Sequence, residues 1–179
     1  MYKYILKKKL KKHYKNSERE KRFLNLKDIH SILILFDTAN YEEANIFVQK
    51  LKKLKKEVTV YAYQAKKDEY DYSKTSYRII TSKEVDDLFD NKIKEIAKEL
   101  DSKKFDAVID LTTQSNASLE YLLAHSNASI KTGLKKNDLP QYDLSITMLP
   151  DIEKENLKVR ELAKQIVYYL HTIHARKPV

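Results

Sequence analysis

The 179-residue chain carries a formal net charge of +9, contains no cysteine and has a single glycine, Gly133. This length suits one domain with a hydrophobic core. The lack of cysteine excludes disulfides, thiolate metal sites and cysteine nucleophiles. A dinucleotide fingerprint, a P-loop and a nucleophile elbow each need at least two glycines, so all three are excluded and the sequence predicts no cofactor.

Residues 1–22 hold nearly all of the net charge, because ten basic side chains face only two acidic ones there. Apolar residues recur every four positions in this arm, which predicts a helix that continues to about Arg22. The stripe consists of Tyr2, Leu6, Leu10 and Tyr14. The candidate polyanion-binding residues are the cations of the arm: Lys3, Lys7, Lys8, Lys9, Lys11, Lys12, Lys15, Arg19, Lys21 and Arg22.

Three interpretations of this arm remain open. Dense lysine can contact the phosphates of RNA or of a ribosome surface. A basic amphipathic helix can also lie on an anionic membrane, with Tyr2, Ile5, Leu6 and Leu10 inserted. In the third interpretation the helix packs on its own domain and its charge is incidental.

Strands and helices alternate in the rest of the chain. Apolar runs predict strands at residues 30–36, 58–63, 78–81, 105–111, 129–133 and 142–148. Helices are predicted up to about Leu54, after Thr81, at 92–100 and 117–126, and from Pro150 to about His174. Asn40 with Glu43 and Thr81 with Glu84 have capping-box spacing.

This alternation predicts an α/β fold: a three-layer Rossmann-like parallel sheet with helices on both faces, preceded by the basic N-terminal helical arm. We expect an arm of residues 1–22 and a single domain of residues 23–179. No apolar run approaches the roughly 20 residues that span a bilayer, and lysines interrupt the region where a signal peptide would be hydrophobic. The expected location is the cytoplasm.

Polar residues follow two predicted strands at the ends where α/β sheets bind ligands. Asp37 follows the first, and Asp110 precedes the polar loop at residues 112–116. If these strands are neighbours, Asp37 and Asp110 flank one crevice and resemble an acid/base pair. The alternative is that such residues cap the helices that follow.

Two further clusters can be interpreted either as functional sites or as ordinary structural features. His171 and His174 have a spacing that can ligate a metal, but histidines near a helix end also interact favourably with its dipole, and we predict no metal site. Tyr70, Tyr72 and Tyr77 lie among lysines, as in surfaces that stack bases. The segment around these tyrosines is nearly neutral, which favours an ordinary polar loop.

The segment from Phe105 to Leu134, FDAVIDLTTQSNASLEYLLAHSNASIKTGL, resembles the N-terminal half of heptosyltransferase-type glycosyltransferases. The whole chain is more similar to a small bacterial family of single Rossmann-like domains of unknown function. In that family the patterns FD-x-x-ID, A-x-x-K-x-G and YD recur, here at 105–110, 128–133 and 142–143. The glycosyltransferases have a Gly-Asp loop after their first strand and a second Rossmann-like half, and this sequence has neither, so the resemblance implies a shared fold rather than a shared reaction.

The sequence therefore predicts a non-enzymatic binding module whose basic helix contacts a polyanion, with RNA or the ribosome as the partner. The alternatives are a membrane-surface protein and a glycosyltransferase-like enzyme that uses Asp37 and Asp110. The oligomeric state is left open.

Overall fold

The computed structural model of the protein describes residues 2–66, 70–82, 91–148 and 157–174. Its helices are α1 (Tyr2–Asn16), α2 (Tyr41–Lys53), α3 (Asn91–Ser102), α4 (Ala117–His125) and α5 (Val159–Thr172). Its strands are β1 (Ser31–Asp37), β2 (Glu57–Gln64), β3 (Arg78–Thr81), β4 (Lys104–Asp110), β5 (Asn127–Leu134) and β6 (Leu144–Ile146). None of the helices in these ranges has the length and apolarity to cross a membrane.

The described strands form a parallel sheet in the order β3-β2-β1-β4-β5-β6. The first strand, β1, lies in the middle of the sheet. The next two, β2 and β3, follow on one side of it, and β4, β5 and β6 follow on the other. This is the strand order of the Rossmann fold, whose topological switch point lies between β1 and β4. The predicted three-layer Rossmann-like fold is confirmed.

Hydrophobic side chains pack on both faces of the sheet, since successive residues of a strand point to opposite faces. In β1, Ile32, Ile34 and Phe36 contact one layer, whereas Leu33 and Leu35 contact the other. The helices α2 and α5 cover the first layer, and α1, α3 and α4 cover the second. Burial on both faces explains why the central strands are continuous apolar runs.

The basic helix α1 packs against α4 through its apolar side. Leu10 is only 2% exposed and belongs to the same core as α3 and α4, and Tyr14 packs against that core. A helix as polar as α1 is marginal by itself in water, so this contact is what stabilises it.

The helix α1 ends at Asn16, earlier than the predicted end near Arg22. Three residues beyond the helix, the Arg19 guanidinium donates to both carboxylate oxygens of Asp143, at 2.7 and 2.8 Å. The N–H of Arg22 then donates to the Ser129 carbonyl of β5 at 2.9 Å. The arm is thus a docked helix followed by an extended segment beside β5.

The capping box predicted for Asn40 and Glu43 is wrong. The Asn40 side chain makes no capping bond to α2. Instead, Asp37 Oδ1 accepts the N–H of Ala39 at 2.9 Å and caps a 3₁₀ turn that leads into α2. Glu43 Oε2 accepts the N–H of Arg160 at 2.8 Å, so it satisfies a donor in the first turn of α5.

Two other predictions lie outside the described residues. They are the capping box formed by Thr81 with Glu84, and the start of the last helix after Pro150.

Replacing Leu10 with alanine tests the docking of α1. We expect Leu10→Ala to lower the free energy of unfolding by about 2–4 kcal/mol, because it removes a buried leucine side chain. The matched control is Leu54→Ala, whose leucine is 60% exposed and whose loss should cost about 0.5 kcal/mol or less. Urea denaturation followed by circular dichroism measures both. Equal effects of the two substitutions would contradict the docking of α1.

Candidate functional site

The carboxyl ends of β1 and β4 are neighbours, as the predicted pairing of Asp37 and Asp110 requires. Leu35 of β1 lies opposite Asp110 of β4, which places Asp37 two positions further along its strand. The Asp37 carboxylate is engaged in the turn at Ala39, as the capping alternative predicts. It therefore stabilises the chain that leads into α2.

Asp110 lies at the centre of a buried polar network and is only 1% exposed. Its Oδ1 accepts hydrogen bonds from the backbone N–H of Thr112 at 2.8 Å and from its hydroxyl at 2.6 Å. Its Oδ2 accepts from Lys136 Nζ at 2.8 Å and from the Tyr142 hydroxyl at 2.6 Å. Lys136 also donates to the Thr112 hydroxyl. Both carboxylate oxygens are thus occupied and shielded from solvent.

The ion pair between Asp110 and Lys136 is a buried one, with side chains 1% and 4% exposed. Such pairs contribute little net stability, but removing one partner leaves an unpaired buried charge that costs about 3–5 kcal/mol. The sequence predicts Asp110 as a site residue but not Lys136 or Tyr142, although Tyr142 belongs to the recurring YD pattern. The contact joins residues 26 and 32 positions apart, and no local pattern encodes it.

This network requires a glycine at position 133. A Cβ at this position of β5 would lie 2.6 Å from a ring carbon of Tyr142 and 3.1 Å from Cβ of Asp110. The missing side chain therefore lets the Tyr142 ring cross β5 and reach Asp110. This gives the glycine a packing role, in line with the general meaning of a glycine inside a strand.

Lys131 is a buried lysine in β5, 2% exposed. Its Nζ donates to the carbonyls of Leu123 at 2.6 Å and Ala124 at 3.2 Å, in the last turn of α4. Burial, with a smaller contribution from the nearby Arg19 charge, lowers the pKa of Lys131 to about 7. The lysine thus satisfies carbonyls that the end of a helix leaves open.

A histidine pair joins α1 to the same helix end. The rings of His13 and His125 have centroids 4.2 Å apart, and Tyr121 lies 4.4 Å from His125 on its own helix. His13 Nε2 donates to the Ala124 carbonyl at 3.0 Å. Burial, together with the His13 charge, lowers the pKa of His125 to about 4, so this ring is neutral at pH 7.

The ten cations of the arm have different surroundings. Arg19 is bound to Asp143, and its side chain is only 10% exposed. Lys21 is exposed but lies 3.7 Å from the same carboxylate, and Arg22 is exposed. The side chain of Lys3 lies outside the described part of the structure. The remaining six, which we call the lysine face of α1, are exposed: Lys7, Lys8, Lys9, Lys11, Lys12 and Lys15.

Of the other candidate residues, the tyrosines pack against one another and the core, whereas the two histidines lie at the surface. Tyr70 and Tyr72 pack on Tyr41 with ring centroids 4.7 and 5.2 Å apart, and Tyr77 is buried against the core beneath α2. His171 and His174 are exposed near the end of α5. In the described ranges, no group of three or more histidine, cysteine, aspartate or glutamate side chains is arranged to hold a metal.

Replacing Gly133 with alanine tests the crossing of Tyr142 over β5. We expect Gly133→Ala to destabilise the protein by about 1–3 kcal/mol, because the new methyl group overlaps the tyrosine ring. In a Tyr142→Ala background the same substitution should cost much less, since the ring is gone. A double-mutant cycle measured by urea denaturation gives this coupling. Additive effects would contradict the proposed packing role.

The buried Lys131 predicts a specific dependence of stability on pH. Between about pH 7 and its ordinary pKa, the unfolded chain binds a proton at Lys131 that the folded protein does not. Stability should therefore rise with pH in this window, by up to about 1.4 kcal/mol per pH unit, and level off below pH 7. In Lys131→Met this component should be lost. Unfolding measured at intervals from pH 6 to 10 tests it, and parallel curves for the two proteins would contradict it.

Comparison with known proteins places the chain in a family. No curated protein matches it. Among solved structures, Escherichia coli heptosyltransferase WaaC with ADP is similar, with a TM-score of 0.48 and 13% identity over 74% of this chain and 46% of that enzyme. The chain thus spans about half the length of the enzyme. The profile of the DUF6913 family, a family of unknown function, matches residues 3–173, and the chain therefore belongs to the DUF6913 family.

Proposed function

We propose that this protein is a non-enzymatic binding module that holds the phosphate backbone of RNA, free or on a ribosome surface, against the lysine face of α1. One observation carries the proposal. The helix buries Leu10 against the domain and at the same time leaves the six lysines of this face exposed.

The charge distribution of α1 supports a polyanionic partner. The helix contains no acidic residue, and its cations are held on a folded surface rather than on a free tail. Neutralising a phosphate requires only a positive point charge, which a lysine ammonium supplies. A row of lysines therefore suits a partner with a repeating phosphate backbone.

The membrane alternative has weaker support. It needs the apolar stripe of the helix to insert into lipid. Leu10, a central member of that stripe, is 2% exposed and packs inside the protein, so it is unavailable for insertion without undocking the helix.

The glycosyltransferase-like alternative also has little geometric support. It needs a carboxylate that can exchange a proton with a substrate. Asp37 is engaged in a capping turn, and both oxygens of Asp110 are occupied within a buried ion pair. These contacts favour a structural role for the two aspartates.

The test removes charge without removing the helix. We expect the variant with Lys8, Lys11, Lys12 and Lys15 replaced by glutamine to lose most of its affinity for a single-stranded RNA. The slope of log affinity against log salt should fall by about 3, since each phosphate contact on a single strand contributes about 0.7. Fluorescence anisotropy across a salt series measures both quantities.

A matched control has the same change in net charge. It replaces four exposed lysines elsewhere, Lys27, Lys50, Lys53 and Lys98, by glutamine and should keep most of the affinity and the slope. Equal losses in the two variants, or no RNA binding by the unmodified protein, would refute the proposal. Binding to phosphatidylserine vesicles, measured in parallel, would favour the membrane alternative. Deleting residues 1–22 is a poor substitute, because it also removes Leu10 from the core and Arg19 from Asp143.

A further inference from the structure

A second surface lies on the opposite side of the sheet from α1. It is a groove of about 310 Å³ between α2 and α5. The two helices begin side by side, where Glu43 in the first turn of α2 accepts the N–H of Arg160 in the first turn of α5. The groove follows them from Glu43 to Leu54, a rise of about 16 Å at about 1.5 Å per residue.

The lining of the groove is mostly apolar. Phe47, Leu51 and Val167 contribute to it, and the first two are buried. Two large hydrophobic side chains of the same lining are open to solvent, because Ile46 is 56% exposed and Leu54 is 60% exposed. Single exposed hydrophobic residues are ordinary, but a contiguous apolar surface with a polar border marks an interaction site.

Cations border the groove on both of its sides. Lys50 lies on α2, and Arg160 and Lys164 lie on α5, and all three side chains are exposed. Among the described residues that line the groove, the only carboxylate is that of Glu43, which is engaged with the backbone of Arg160. The border is therefore net positive and complements an acidic partner.

A neighbouring carboxylate reduces this charge only in part. Glu161 Oε1 lies 3.3 Å from Arg160 Nε and 3.1 Å from Lys164 Nζ. Such exposed ion pairs contribute little and exchange partners easily. Lys50 forms no ion pair with any residue that the structure describes. An acidic partner can therefore meet a free cation on α2 and weakly held ones on α5.

The distribution of the cations distinguishes between possible occupants. A fatty acid carries one carboxylate at one end, whereas the cations here stand on both sides of the groove. A second copy of this chain in a symmetric contact would bring the same cations face to face, which like-charge repulsion disfavours. A peptide with several acidic side chains beside an apolar stripe matches the whole border.

The walls of the groove favour a helical peptide. They are two helices whose backbone groups are already hydrogen-bonded, so they offer no partners to the backbone of an extended peptide. A helix satisfies its own backbone groups and docks through side chains alone. Apolar side chains at positions i, i+4 and i+7 of a helix span about 10 Å, which the length of the groove accommodates.

We propose that the groove between α2 and α5 binds an acidic amphipathic helix of a partner protein. Its apolar stripe contacts Phe47 and Leu51, and its acidic flanks face Lys50 and Lys164. The surface is independent of the lysine face, because α2 and α5 cover one layer of the core and α1 covers the other. Together with the proposed function, the protein would join a polyanion on one side to an acidic protein on the other.

The test begins with two peptide libraries displayed on phage. Each peptide has about 18 residues, or five helical turns, with varied apolar residues at i, i+4, i+7 and i+11. The other positions are rich in glutamate in one library and in lysine in the second. We expect selection on the full-length protein to yield binders from the acidic library and none from the basic one. A fluorescein-labelled acidic binder then serves as the probe for fluorescence anisotropy.

The first variant tests the apolar contact. Ile46→Glu places a carboxylate in the groove and should weaken binding of the acidic probe at least about tenfold. The matched control is Tyr168→Glu, because Tyr168 is 64% exposed on α5 and does not line the groove. This control should leave the affinity unchanged, and circular dichroism should show that both variants are folded.

The second variant tests the charge. Replacing Lys50 and Lys164 by glutamate should abolish binding of the acidic probe and allow a lysine-rich peptide with the same apolar pattern to bind. The control replaces Lys53 and Lys98, which are exposed outside the groove, and should have neither effect. The net charge changes equally in the two variants, so the comparison isolates the position of the charge.

Several results would overturn the proposal. They are no binders from either library, equal recovery from both, and an affinity that survives Ile46→Glu. Sedimentation velocity examines the second copy, since a dimer that Ile46→Glu dissociates would identify this chain as the occupant instead. Binding of oleate in place of either peptide would assign the groove to a fatty acid. Absence of RNA binding would refute the proposed function and leave this groove unaffected.

Discussion

The absence of a side chain at Gly133 is the constraint on which the rest of this structure depends. Because no Cβ stands at this point of β5, the Tyr142 ring lies across the strand and its hydroxyl reaches Asp110. The same carboxylate pairs with Lys136. The loop that follows β5 is therefore tied to the end of β4 near both of its own ends, by Lys136 and by Tyr142.

This fixed loop has consequences on two sides of the molecule. Asp143 comes directly after Tyr142 and binds Arg19, three residues beyond the end of α1. Asn137 and Leu139, in the middle of the loop, line a cavity of about 220 Å³ that also borders α1 and Glu120 of α4. The position of the basic helix and the shape of the cavity thus depend on one buried arrangement at the carboxyl end of the sheet.

Much of the fold could be predicted from the sequence, because apolar runs and helical periodicity are local signals. The third strand, Arg78–Thr81, was predicted at its observed bounds, and the others within a few residues. The capping box of Asn40 with Glu43 was predicted wrongly, because Glu43 contacts the first turn of α5 and Asp37 caps the 3₁₀ turn before α2. Sequence spacing alone cannot show which of several possible capping residues instead makes a hydrogen bond to a distant part of the chain.

The sites were less predictable than the fold. The pair Arg19 and Asp143 joins residues 124 positions apart, so nothing near Arg19 distinguishes it from the other cations of the arm. Glu120 appears in sequence as an ordinary helix acid, and only tertiary contacts, such as the one with Asn137, make it a buried one. A signal was present at two positions: a lysine and the only glycine interrupt an apolar strand at Lys131 and Gly133. At Lys131 the strand contacts the end of α4, and at Gly133 the Tyr142 ring lies across it.

The docking of α1 changes what its lysines offer to a partner. From Lys7 to Lys15 the helix rises about 12 Å, at about 1.5 Å per residue. In the proposed complex this helix would act as a template, because the backbone that carries the lysines is already ordered and loses little further freedom on contact. A loose tail of the same composition would wrap any polyanion with similar ease. A template instead favours strands whose phosphate repeat matches its own, so rigidity becomes a source of selectivity.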